Sequence, residues 1–322
     1  MRRTLAGSIA ALCLAAASLA AAQTYPTRPV KIIVPFAPGG NVDVTARIIA
    51  PALQEAFGQP VVIENKPGAA GTIGADFVVR APADGYTLLM GSNSTFSVAP
   101  ALNPKNPYNP LKDFAPIASI ASTPFILVVN PSAPMKTVAE LVARAKAAPG
   151  KLTMASAGTG SSNHLVGEYF QDLSGTKFTH VPYKGSNPAI SDLMGGQVDM
   201  HFDQVTSAGN HVQGGKLRAL LVTSKERAAM LPDVPTAAEA GFPSFGPINV
   251  TGLIAPAGTP REVIALLNAA INKALQQPAL REKYAAVGAV TTGGSPEQFG
   301  AYIAEDLARW TKVVKDANVK VE

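Results

Sequence analysis

The sequence predicts an α/β protein of two lobes on largely parallel sheets, and three observations carry that expectation. Short β-branched runs alternate with amphipathic segments along the chain, the pattern of strand–helix–strand units. At 322 residues the chain is long enough for two cores. The two α/β sets are not separated by a low-complexity linker, so paired crossover strands are expected to join them as a hinge. The expected division is residues 23–122 plus 228–322 for lobe 1 and residues 123–227 for lobe 2.

The N-terminus reads as an export signal. Arg2 and Arg3 precede an uncharged apolar stretch over residues 4–19, and Ala20, Ala21 and Ala22 offer small residues for cleavage before Gln23. A signal peptide over residues 1–22 and a periplasmic location are the expectation. The single cysteine, Cys13, falls inside that segment, leaving no thiol for a disulfide, a metal or a nucleophile.

The first strand is residues 30–35 (VKIIVP), and a helix follows over residues 43–57. Asp43 is expected to cap that helix, Pro51 to kink it and Gly58 to stop it. Strands at residues 61–64 and 87–90 come next, then a long apolar segment over residues 117–130. The second set takes strands at residues 152–155, 178–181, 198–202 and 217–223, with a helix over residues 162–173. A return strand over residues 252–255 is expected to pair near residues 124–127, and two helices, residues 260–276 and 296–317, complete the chain. The 28 glycines and 27 prolines fall at element ends, as turn punctuation does.

Net charge is +5 for the whole chain, and the basic residues are scattered without aromatic interleaving, which excludes a nucleic-acid surface. Two strand-to-helix loops suit an anion instead. The first runs from Pro35 to Asp43, with Phe36, Gly39, Gly40, Asn41 and Asp43 as candidate site residues. The second offers Ser156, Gly158, Thr159, Ser161 and His164. Glycines let a ligand approach the backbone, and a helix start adds unpaired N–H groups. Ser92 and Ser94 in a third loop, Tyr183 and Lys184 in a fourth, and Asp203 after a strand are further candidates. The plainer account of each loop is a tight turn with a helix cap.

No catalytic pattern stands out. No G-x-S-x-G elbow is present, and His164, His180, His201 and His211 lack metal-ligand spacing. Lys216 follows two glycines, but Leu217 stands where a phosphate loop needs Ser or Thr. A secreted hydrolase using Ser161 or Ser162 with His164 is the alternative reading.

Seven blocks in order carry a resemblance over essentially the whole exported chain. They are VPFAPGGNVDVTARIIA (34–50), GQPVVIENKPGAAGTIGADFV (58–78), ADGYTLLMGSNS (83–94), MASAGTGSSNHL (154–165), HVPYKGSNPAISDLMGGQVDM (180–200), GKLRALLVTS (215–224) and GLIAPAGTP (252–260). The sequence resembles the tripartite tricarboxylate transporter receptors, the Bug family. That resemblance implies a type II periplasmic-binding fold whose two lobes close on a carboxylated solute. It implies no enzyme activity, no cofactor and no metal. It also implies delivery to a two-component inner-membrane permease by a monomer; input to a signalling sensor is a further alternative. The first two loops would hold carboxylate groups. Val42 stands where members often carry a hydroxyl residue, which implies a less polar contact at one end of the ligand.

Overall fold

The structure, a computed structural model, describes residues 25–316. The expected signal peptide and Cys13 lie outside the described residues. Among the described residues no helix is long and apolar enough to cross a membrane.

Ten strands form one curled sheet in the order β2-β1-β3-β9-β4-β7-β5-β6, with β10 and β8 also paired to β4. In the first half, β1 (Val30–Val34) lies parallel to β2 (Val61–Asn65) and to β3 (Thr87–Ser92). Its helices are α1 (Asn41–Phe57), α2 (Thr72–Val79) and the short α3 (Ala99–Leu102). In the second half, β5 (Thr153–Ser156) lies parallel to β6 (Thr179–Pro182) and β7 (Met200–Gln204). Helices α4 (Val138–Ala147), α5 (Ser162–Ser174), α6 (Ser186–Met194) and α7 (Val205–Gln213) surround it, with β8 (Arg218–Val222) at one side.

β4 (Phe114–Val129) is the long element that belongs to both halves. Its residues 114–124 pair with β9 (Ile248–Pro256), whereas residues 125–129 pair with β7 and 126–129 with β8. The side chains alternate as a pleated strand requires. Phe125, Leu127 and Val129 enter one core, and Ile126 and Val128 enter the core on the opposite face. The same alternation sends Val30, Ile32 and Val34 of β1 to one side and Ile33 to the other.

Helices α8 (Arg261–Leu275) and α9 (Pro278–Ala286), the strand β10 (Val290–Gly293) and helix α10 (Pro296–Asp316) close the fold. The start of α10 packs Phe299 and Ile303 beside β1 and β3, while Trp310 packs among the second half's aromatic residues.

Several expectations are corrected in detail. β9 pairs with β4 in an earlier register than expected: Gly252 faces Ser119, and Pro124 faces Ile248. Three C-terminal helices stand where two were expected. Asp43 is not the cap of α1; Gly40 takes that place and Asp43 lies one turn inside. Pro51 sits within α1, which continues past it to Phe57 and ends on the left-handed Gly58. Asp203 lies inside β7 instead of after it.

Candidate functional site

A cleft lies between the two halves, lined by Phe36, Gly40, Asn41, Val42, Ser92 and Ser94 on one wall. Ala157, Ser162, Asn163, Ser186 and Gln204 form the other. These residues stand at the carboxyl ends of β1, β3, β5 and β7 and in the loop after β6, where open α/β sheets bind ligands. In this conformation the cleft is closed to about 20 Å³, room for about one water.

Four helices begin at the cleft. The first turn of α5 is satisfied by its cap, because Ser161 Oγ accepts from His164 N at 3.2 Å. The other three, α1, α6 and α7, start on Gly40, Gly185 and Gln204 without a side-chain cap. Their first N–H groups are therefore donors without a side-chain partner, and their dipoles favour negative charge. No lining side chain is a lysine, arginine, histidine, aspartate or glutamate. An anion placed here meets amides and hydroxyls and no side-chain charge.

The first loop is held from behind. Asp43 accepts from Gly39 N at 2.9 Å, from Asn65 Nδ2 at 2.8 Å and from Arg47 Nε at 2.8 Å. Burial raises the Asp43 pKa, but these donors outweigh it and hold the carboxyl below its usual range. Asn65 Nδ2 also donates to Phe36 O at 3.0 Å, so the loop is anchored at both ends. Asn41 reaches the floor, donating to Thr251 Oγ1 of β9 at 3.1 Å and accepting from Thr206 Oγ1 of α7 at 2.5 Å.

The second wall is held by Asp203, which is fully buried. It accepts from Asn163 Nδ2 at 3.1 Å, Ser186 Oγ at 2.8 Å and Ser207 Oγ at 2.8 Å. Asp203 thus orients two cleft-lining side chains without lining the cleft. The walls touch directly where Ser94 Oγ accepts from Ser162 N at 2.9 Å and donates to Ser162 Oγ at 3.0 Å.

Of the residues singled out by sequence, Phe36, Gly40, Asn41, Ser92 and Ser94 line the cleft. Gly39 and Asp43 brace its loop. Ser156 Oγ lies 2.6 Å from His180 Nε2 and accepts from Gly158 N at 3.1 Å, shaping the second loop from behind. Gly158, Thr159, Tyr183 and Lys184 line an outer groove with Ala69 and Ala70 at the mouth. His164 Nδ1 accepts from Gly160 N at 3.3 Å, and its ring stacks on His180 at 4.0 Å. Neither Ser161 nor Ser162 hydrogen-bonds to the His164 ring; their hydroxyls meet His164 N and Ser94. Sequence reasoning passed over Asn163, Ser186 and Gln204 as lining residues. Their signal was position: each stands at or next to a helix start that follows a strand.

Two α/β lobes closing on an uncharged, amide-rich cleft define a solute-binding protein. The sequence profile of the tripartite tricarboxylate transporter family receptor matches residues 45–319. The chain is 41% identical to Protein BugT of Bordetella pertussis over 326 residues, covering 100% of this chain and 99% of that protein. It superposes on MatC from Rhodopseudomonas palustris with bound malate with a TM-score of 0.87 at 38% identity, covering 90% of this chain and 100% of that one. It also superposes on R. palustris Rpa4515 with adipate, with a TM-score of 0.89 at 36% identity, covering 92% and 99%. The chain belongs to the tripartite tricarboxylate transporter receptor family. It is a solute-binding protein of that periplasmic family, and not an enzyme.

Proposed function

We propose that this chain captures a small di- or tricarboxylate, amino acid or aromatic acid in the cleft and delivers it to a two-component inner-membrane permease. The observation that supports this most is the meeting of three uncapped helix starts in a cleft without charged lining side chains. Backbone amides at helix starts recognise a carboxylate as such. The relatives with malate and adipate bind acids of that kind. Ligand selection then rests on the shape of the cleft's far end, where Val42 gives an apolar contact.

In this reading, lobe 1 comprises residues 23–122 plus 228–322 and lobe 2 residues 123–227; β4 changes partners between Pro124 and Phe125. The protein is exported with cleavage near Ala22 and works as a monomer. A ligand drives closure only as far as it binds the closed state better than the open one.

The test is a thermal-shift screen of malate, adipate, citrate, glutamate and benzoate. A binder raises the melting temperature by mass action on the native state and is recovered unchanged. Ser94→Ala should then weaken it by about 1–3 kcal/mol, the cost of leaving a buried group short of a partner. An unchanged dissociation constant in that variant would sink the site assignment. Uptake of the ligand by cells lacking this chain, at the rate of intact cells, would sink delivery.

A further inference from the structure

We infer that a cavity behind the hinge is a second small-molecule site, shaped for a flat aromatic molecule carrying one anionic group. The cavity measures about 450 Å³, within the range of roughly 300–1,000 Å³ typical of small-molecule pockets. The cleft described above holds about 20 Å³ in the same conformation.

Its walls come from three parts of the fold. Thr223, Pro247 and Ile248 belong to the segments that cross between the halves, Tyr169 to α5, and Arg309, Trp310 and Val313 to α10. The walls are mostly ring and aliphatic surface, which suits a flat apolar body. Ile248 is exposed at the edge.

Polar side chains also contribute to it. Trp310 is 6% exposed, and its indole N–H is directed to the buried carboxylate of Asp306. Asp306 is fully buried, and Arg309 Nη1 lies 3.4 Å from its Oδ1. The other oxygen of Asp306 accepts from Asn93 Nδ2 at 2.8 Å and from Ser97 Oγ. At the rim stand two exposed cations, Arg309 and Lys225, and Lys225 forms no ion pair among the described residues. Against the single carboxylate of Asp306, already facing Arg309, the rim favours an anion.

Trp310 is the only tryptophan of the chain, so its emission reports this cavity without ambiguity. The probe is anilinonaphthalene sulfonate, a flat aromatic anion, titrated into the whole exported protein. The expected result is saturable quenching of Trp310 with one probe per chain. Lys225→Glu and Arg309→Glu should each weaken the probe by about tenfold, the order of one charge-assisted contact. Lys225→Gln and Arg309→Gln should weaken it less, and they serve if charge reversal disturbs folding. Ser94→Ala, which alters the cleft, should leave the titration unchanged. The inference is overturned by absence of saturable quenching, by many equivalent probes indifferent to the rim charges, or by loss of the signal in Ser94→Ala. It does not rest on the identity of the cleft's ligand.

Discussion

His180 is half-buried behind the second loop, its Nε2 on Ser156 Oγ and its ring against His164. Burial, then the neighbouring His164 and His201, lower its pKa to about 4, with Glu168 opposing. A histidine kept neutral in the fold is protonated first in the unfolded chain, whose pKa is about 6.5. Stability from His180 is therefore fully present above about pH 6.5, is lost as pH falls towards 4, and changes no further below that. The expected steepening is at most about 1.4 kcal/mol per pH unit, less for solvent screening at this partly open site. His180→Gln keeps an acceptor for Ser156 and should flatten the urea-denaturation profile between pH 6.5 and 4. Equal slopes in both proteins would refute it. What the sequence made legible at this scale was the glycine-rich loops, because glycine and a following helix start are local signals. The roles of Asp203 and Ser156 were not legible. Asp203 gathers Asn163 and Ser186 from two helices, and Ser156 meets a histidine 24 residues away, so both depend on the finished packing.

At the level of elements, the cleft is made by helices that start badly. α1, α6 and α7 begin without a side-chain cap, and of the four α-helices that begin at the cleft α5 alone has one. α4, remote from the cleft, shows the opposite treatment. Thr137 Oγ1 accepts from Glu140 N at 3.2 Å, and the Glu140 carboxylate accepts from Thr137 N at 3.2 Å, a complete capping box. Thr137→Ala should lower unfolding stability by about 1 kcal/mol, read from the urea midpoint at unchanged slope. No shift in that midpoint would show that α4 contributes nothing to the cooperative unit. This box is a local signal, written in the sequence as T-x-x-E over residues 137–140. β10 is a different case. Its four residues, VTTG, include three β-branched side chains that suit a strand but are too few to stand out alone, and they pair with β4. The register of β9 on β4 was not legible either, because it is set by the finished sheet; the bulges in β4 between Pro116 and Ala118 and between Ser119 and Ala121 account for only a small part of the offset.

For the molecule as a whole, the absence of a linker did foretell crossover strands, but not what fastens them. Three segments meet where β4 leaves β9 for β7. Thr223 N donates to Phe125 O at 2.9 Å, Phe125 N donates to Thr223 Oγ1 at 2.8 Å, and Thr223 Oγ1 donates to Pro247 O at 2.7 Å. One buried hydroxyl therefore ties the outgoing strand to the returning segment. α10 reinforces the junction by packing Phe299 in one core and Trp310 in another. Thr223→Val keeps the shape and removes the hydroxyl, leaving the buried Phe125 N–H and the Pro247 carbonyl without their partner. The expected loss is about 1–3 kcal/mol of unfolding stability. Ligand affinity is expected to respond differently. Thr223 does not line the cleft, so the variant changes affinity only through the fraction of molecules that can close. A fall in melting temperature with a dissociation constant shifted less than by Ser94→Ala is the result that fits a hinge clasp. If Thr223→Val melts like the parent protein, the clasp holds nothing. If it weakens the ligand more than Ser94→Ala does, Thr223 belongs to the cleft.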